Sequence, residues 1–275
     1  MTGRSAFESG GPEARISVRD LVVKYGDRVV LNKISLDVMA GETMVILGES
    51  GGGKSTFLKC LIGLKKPSSG KILIYGQDIT KVSPEEFANI KKKFGVLFQS
   101  AALFNSMTVA DNVALPLREH TRLDESVIDI MVKIKLELVG LTGAERLLPS
   151  QLSGGMRKRA GLARAMAMDP EILFFDEPSA GLDPRLAADI DSLILKLERA
   201  FHLTMVVVTH RIESAFAIAD RVALIHGGDI LFLGTPDEMR RSDNQIVRQF
   251  LEGAPHPEGE GRGDYLQDIL RERGE

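Results

Sequence analysis

Gly48-Glu49-Ser50-Gly51-Gly52-Gly53-Lys54-Ser55 spells G-x-x-x-x-G-K-S and runs on into Thr56. A turn of this kind curls the backbone around an anion, because glycine takes positive φ without a Cβ penalty, and Gly51, Gly52 and Gly53 are all available for it. The freed N–H groups, with the N-terminus of a helix opening near Lys54, form a positive cradle. Lys54 then reaches the β- and γ-phosphates of a nucleotide, and the Ser55 hydroxyl binds Mg²⁺. The motif requires a strand before it and a helix after it. Met44 to Leu47 is a short apolar run, and Phe57, Leu58, Leu61 and Ile62 carry helical spacing. The alternative is an ordinary Gly-rich strand-to-helix turn with a chance lysine.

Phosphoanhydride chemistry needs a second acidic anchor for the metal and a group that activates water. Asp176 and Glu177 close the apolar run Ile172-Leu173-Phe174-Phe175, at the strand end where α/β sheets place ligands. Asp176 is placed to hold Mg²⁺ through water, and Glu177 to act as general base. Gln99 ends another short strand with an amide suited to the metal or the water. His210 ends the buried run Thr204 to Thr209 and can donate to a γ-phosphate, although a lone histidine there is more often structural. Tyr25, before a glycine, can stack on an adenine ring or pack as a rim residue. Ser153-Gly154-Gly155 opens a further helix with a Ser N-cap, a second anion-binding helix N-terminus. Its basic residues Arg157, Lys158, Arg159 and Arg164 read as a solvated face, since a net charge of −3 gives no push toward nucleic acid.

The elements that position these groups alternate between strand and helix, which predicts an α/β core. The chain has 275 residues with 44% hydrophobic content, enough for one large domain with an inserted lobe. Strands are expected over 16–23, 29–31, 34–38, 43–47, 71–75, 94–98, 171–177 and 204–209, and a hairpin over 221–225 and 229–233. Ser83-Pro84-Glu85-Glu86 predicts an N-cap, a Pro at N1 and acids in the first turn of a helix. From about residue 100 the β-branched runs stop and Val127, Ile130, Met131, Ile134 and Leu138 repeat with helical period, predicting an inserted helical lobe over about 100–165. Residues 1–15 read as a flexible tail without a secretory signal, and 236–253 as helix. Residues 254–263 are too rich in Gly and Pro to pack a core, and Tyr265, Leu266, Ile269 and Leu270 form one apolar stripe. Cys60 is the sole cysteine, so no intrachain disulfide can form, and it reads as a buried inert thiol. No apolar run reaches the length of a spanning helix.

With Gly48–Ser55, Gln99, Leu152–Met156, Ile172–Glu177, Ser179–Asp183 and His210 in this order, the chain resembles an ABC transporter ATP-binding subunit over about residues 16–250. The resemblance implies a phosphate-loop NTPase core of ABC ATPase type, with an antiparallel β subdomain and an inserted helical subdomain. It implies ATP and Mg²⁺, and two such subunits sandwiching two nucleotides. Ser153, Gly154 and Gly155 would then bind the γ-phosphate in trans and Asp183 would lie at the dimer seam. Tyr25 matches the adenine-stacking aromatic, Gln99 the loop sensing metal and permease, and His210 the switch histidine. Met156 departs from the glutamine most of the family carries.

That departure, together with Phe98–Phe104, Asp111–Ala114, Pro116–Thr121, Val247–Leu251 and Gly263-Asp264-Tyr265, is similar to the Mla-type phospholipid transport ATPases. The resemblance implies an ATP-hydrolysing subunit on the cytoplasmic face of the inner membrane that drives phospholipid traffic between inner and outer membranes. Its implied partners are a second copy, integral permease subunits, a lipid-binding substrate protein and a small accessory subunit, with no nucleic acid. In that group an extension here covering 251–275 reaches the partner ATPase. The alternatives are an ABC ATPase for another cargo and a soluble ABC-type ATPase in an assembly process.

Overall fold

The computed structural model describes residues 14–253. Two sheets carry the chain. The first is antiparallel, in the order β2-β1-β4-β5, from β1 (Ala14–Tyr25), β2 (Arg28–Met39), β4 (Ser69–Ile74) and β5 (Gln77–Asp78). The second has six strands in the order β10-β9-β3-β8-β7-β6. Its members are β3 (Thr43–Gly48), β6 (Phe94–Leu97), β7 (Ile172–Asp176), β8 (Thr204–Val208), β9 (Arg221–His226) and β10 (Asp229–Gly234). β9, β3, β8, β7 and β6 are mutually parallel, and β10 closes the edge antiparallel to β9.

β3 is buried at every residue, as a central parallel strand must be. Its side chains divide by the two-residue period. Val45 and Leu47 join the core under the helices, and Met44 and Ile46 join the core facing the antiparallel sheet. The phosphate-loop helix α1 (Lys54–Leu61) packs into the second core through Phe57, Leu58 and Leu61. Cys60 is buried beside them, and burial pushes its thiol up to about 11, so it is inert at neutral pH.

α2 (Pro84–Lys91) opens with the anticipated cap: Ser83 Oγ accepts from the Glu86 N–H and Glu86 returns the bond to the Ser83 N–H. Between β6 and β7 lie α3 (Val109–His120), α4 (Glu125–Leu138), a 3-10 turn (Pro149–Gln151) and α5 (Gly154–Ala165). After β7 comes α6 (Pro184–Phe201), after β8 comes α7 (Ile212–Ile218), and α8 (Pro236–Arg240) and α9 (Gln245–Glu252) follow β10.

Several boundaries differ from the sequence reading. The strands expected over 29–31 and 34–38 are one strand, β2. Its register with β1 slips between Leu21↔Ile34 and Val23↔Leu31, and Lys33 takes a left-handed φ of 49°, so Asn32-Lys33 are absorbed as a bulge rather than a turn. Ala14 and Arg15, assigned to the tail, begin β1; the rest of that tail and residues 254–275 lie outside the described residues. The helix expected over 236–253 is divided between α8 and α9.

Candidate functional site

The parallel strands deliver their C-terminal ends to one edge, and the chemical residues gather there. Gly48, at the end of β3, has φ 151°, and a Cβ on it would stand 2.3 Å from the Ile225 carbonyl oxygen, so only glycine lets the loop leave the sheet here. Of the three consecutive glycines, Gly51 and Gly53 take positive φ and Gly52 does not; the Gly52 N–H instead donates to the Glu49 carbonyl at 3.1 Å. α1 has no side-chain cap, so its first-turn N–H groups are left for a ligand. Lys54 is buried, and its ammonium folds over the loop to donate to the carbonyls of Gly48 (2.8 Å) and Glu49 (2.7 Å). Burial lowers its pKa, opposed by the nearby carboxylates of Glu177, Asp176 and Glu49. Ser50 is exposed on the loop and Thr56 half-buried in α1.

Ser55 Oγ donates to Asp176 Oδ1 at 3.2 Å, joining the first turn of α1 to the end of β7. Burial holds the Asp176 carboxyl above its ordinary range, against the Ser55 hydrogen bond. The hydroxyl and carboxylate oxygens, with the exposed Gln99 amide two residues past β6, are the hard donors that Mg²⁺ prefers, and one carboxylate suits an ion that keeps several waters.

Glu177 is 8% exposed and held from every side. His210 Nδ1 meets its Oε1 at 2.8 Å, and the Thr209 hydroxyl donates to its Oε2 at 3.2 Å. Its backbone sits in the left-handed region at φ 49°, costly for a residue with a Cβ. Its N–H donates to the Val208 carbonyl at 2.9 Å, and its own carbonyl accepts from Lys158 Nζ at 3.0 Å. Thr209 and His210 follow the end of β8, Asp176 ends β7 with Glu177 next to it, and the sheet order sets β8 between β7 and β3, the strand that leads into α1.

At the other glycine-rich turn, Ser153 Oγ accepts from the Met156 N–H at 3.3 Å and caps α5. Ser153 is exposed, while Gly155 is buried and Met156 packs half-buried against the core. A Cβ on Gly154 would lie 3.2 Å from Leu182 Cδ2, which sets the turn against the segment carrying Asp183. The Asp183 carboxylate caps α6, accepting from the N–H groups of Arg185 and Leu186 at 3.0 Å each.

Residues 31–180 match the sequence model described as ABC transporter. The chain belongs to the ABC transporter family. Among its relatives, the intermembrane phospholipid transport system ATP-binding protein MlaF of Haemophilus influenzae is 45% identical over 258 residues, 94% of this chain and 97% of that protein. MlaF of Escherichia coli K12 is 41% identical over 93% of this chain and 96% of its own. The probable ribonucleotide transport ATP-binding protein mkl of Mycobacterium leprae is 46% identical over 86% of this chain and 69% of its own. Among solved structures, a dimeric ATP-binding cassette in a post-hydrolysis state with ADP and Pi has TM-score 0.74 at 29% identity, covering 80% of this chain and 98% of its own. The cbiO1 subunit of Clostridium perfringens, part of the ABC transporter complex cbiONQ, has TM-score 0.77 at 27% identity, covering 94% and 99%. The fold is that of ABC ATPase cassettes, and the chain is an ATPase subunit of this family.

Tyr25, at the end of β1, is half-exposed, and Lys65 Nζ lies 4.3 Å from its ring centroid. In this ABC ATPase the basic residues read on α5 as a solvated face divide: Arg157 is exposed, Arg159 and Arg164 are half-buried, and Lys158 is buried. Arg157 donates to the Leu152 carbonyl at 2.7 Å and Arg159 to the Val139 carbonyl at 2.8 Å. Arg164 donates to Ala101 and Ala102, and Lys158, 5% exposed, to Gln99 and Glu177. Burial lowers the pKa of Lys158 to about 8 despite Glu177 and Asp176 nearby. Lys158 is the residue sequence reasoning missed. Its signal was position: Lys158, Gly161, Leu162 and Ala165 share one helical face, and that face is the buried one. The stripe read on α4 is only partly the packed one: Met131 is half-buried against the core and Leu138 half-buried, but its other members face out. Ile128, Val132 and Leu136 are buried, whereas Val127, Ile130 and Ile134 are 40%, 58% and 49% exposed.

Among the described residues, no helix is long and apolar enough to cross a membrane.

Proposed function

We propose that this chain is the ATP-hydrolysing motor of a phospholipid transporter working between two membranes. The near-full-length match to two MlaF proteins supports that cargo over the ribonucleotide named for the mycobacterial relatives, of which the match spans 69% in M. leprae. The observation that carries the hydrolytic role is the Glu177 carboxylate, held by His210 and Thr209 beside Asp176 and Ser55. In this reading Gly48, Glu49, Ser50, Gly51, Gly52, Gly53, Lys54, Ser55 and Thr56 wrap the phosphates, and Tyr25 stacks on the adenine. Lys54 leaves the loop carbonyls to take the β- and γ-phosphates. Glu177 accepts a proton from water as the water oxygen bonds the γ-phosphorus and the bond from that phosphorus to the bridging oxygen breaks, releasing ADP and phosphate. His210 keeps the carboxylate aimed and meets the γ-phosphate. Ser55, Gln99 and Asp176 would hold Mg²⁺, which would neutralise charge on the phosphate oxygens.

The functional units are a domain over 16–250 with a helical subdomain over about 100–165, and a partner-docking extension over 251–275. Ser153, Gly154 and Gly155 complete the site of a second copy, and Asp183 lies at the seam. The assembly sits on the cytoplasmic face of the inner membrane with permease subunits, a lipid-binding substrate protein and a small accessory subunit.

The test is Glu177→Gln. It should abolish turnover and accumulate an ATP-bound dimer on size-exclusion chromatography; hydrolysis at the wild-type rate refutes the base assignment. Cargo is tested by tagged recovery from detergent-solubilised membranes with protein and lipid mass spectrometry. Permease and enriched phospholipid are expected, and recovery without either refutes the transport reading.

A further inference from the structure

Three backbone features around the site are held by one helix. Glu177 sits at φ 49°, and Ala101 and Ala102, just after Gln99, sit at 61° and 49°. Such conformations persist where the surroundings over-determine them. Arg164 of α5 donates to the Ala101 and Ala102 carbonyls at 2.9 and 2.8 Å. Lys158 of α5 donates to the Gln99 carbonyl at 2.6 Å and the Glu177 carbonyl at 3.0 Å. The helix can come this near because Gly161 has no side chain: a Cβ there would stand 2.8 Å from Leu97 Cδ1 and 3.0 Å from Ala101 Cβ. An ammonium so buried is retained at a cost, which methionine would avoid in the same volume.

We infer that Lys158 is a positioning residue that couples the two nucleotide sites of the dimer, by tying the helix whose first turn is Ser153–Gly155 to the backbone of Gln99 and Glu177. The inference rests on the two-site reading above. Lys158 stands four residues, about one turn, after Gly154. Movement of α5 as its N-terminus engages the partner's nucleotide therefore pulls on this chain's own Glu177 through a charge-assisted pair of hydrogen bonds. Without Lys158 the Glu177 carbonyl loses its donor, the strained φ relaxes, and the carboxylate drifts from His210 and Thr209.

The experiment compares Lys158→Met and Lys158→Gln with wild type in the full-length chain, purified with its bound membrane subunits. It measures steady-state ATP hydrolysis, its Hill coefficient in ATP, nucleotide affinity and thermal midpoint. In Lys158→Met, kcat should fall by roughly tenfold or more while KM stays within about twofold, and the Hill coefficient should drop to about one. Lys158→Gln, which keeps two N–H donors, should recover part of both. Unchanged kcat and Hill coefficient in Lys158→Met overturn the inference. So does a parallel loss of thermal midpoint, affinity and kcat in both variants, which is what a merely structural lysine gives. A wild type with a Hill coefficient of one and no ATP-dependent dimer overturns the two-site reading itself, a result visible before any Lys158 variant is made.

Discussion

The first turns of α1 and α5 are built from similar materials and finished differently. Both helices open on glycine-rich turns. α1 has no side-chain cap; its own first residue, Lys54, is buried, and the rest comes from the neighbouring strand ends: two carboxylates at the end of β7, and a threonine and a histidine just past β8. α5 is closed by its own Ser153, and that serine faces solvent. The α5 cations turn inward to carbonyls, and the adjacent Asp183 carboxylate is engaged on α6. The difference teaches that the first turn of α1 is ringed by side chains of its own chain, while that of α5 is left facing solvent; on the function proposed above, a second copy completes it.

The comparison is sharpened most by Glu177→Gln. Hydrolysis should fall roughly a hundredfold to ten-thousandfold with nucleotide affinity preserved, because only the base is lost; affinity falling in step in a binding assay would mean that Glu177 shapes the α1 site rather than the reaction. Next comes Gly48→Ala. Its Cβ would meet the Ile225 carbonyl at 2.3 Å, so β3 must shift against β9, costing about 1–3 kcal/mol from the φ alone. Thermal unfolding should show the loss, together with weaker nucleotide binding. Ser153→Ala should cost about 1 kcal/mol as a lost N-cap, read by denaturant melts. It should leave nucleotide binding to the isolated chain unchanged and slow hydrolysis only where dimers form. If monomer affinity falls, the two helix ends are not separate sites.

The smallest effect is in acid. The Thr108 hydroxyl and then the Arg118 guanidinium hold the Asp111 carboxyl below the usual carboxylate range at the start of α3, against weak desolvation. A depressed folded pKa gives stability that is full above the unfolded value of about 4 and is lost as pH falls through the folded one. Asp111→Asn should therefore lower the neutral-pH midpoint slightly, the pair being partly solvated, and the gap to wild type should close as pH falls, so that the variant's acid limb is flatter. A melt series from pH 3 to about pH 7 checks it.

What was legible in advance follows from locality. G-x-x-x-x-G-K-S, the Ser83 capping box and the Asp176-Glu177 strand end are written in adjacent residues, because glycine φ, cap hydrogen bonds and strand alternation act over a few positions. So were the apolar run Met44–Leu47 of β3 and the strand–helix alternation that makes five of the six strands of that sheet parallel. The tertiary structure alone decided which face of α4 is buried, since Val127, Ile130 and Ile134 repeat as well as Ile128, Val132 and Leu136, and only neighbouring helices choose between them. It decided that Asn32-Lys33 is a bulge, because β1 pairs on through it. It also turned Lys158 inward. A lysine's sequence neighbours say that it is charged, but only the carbonyls of Gln99 and Glu177, 59 and 19 residues away in the chain, make a buried place for that charge.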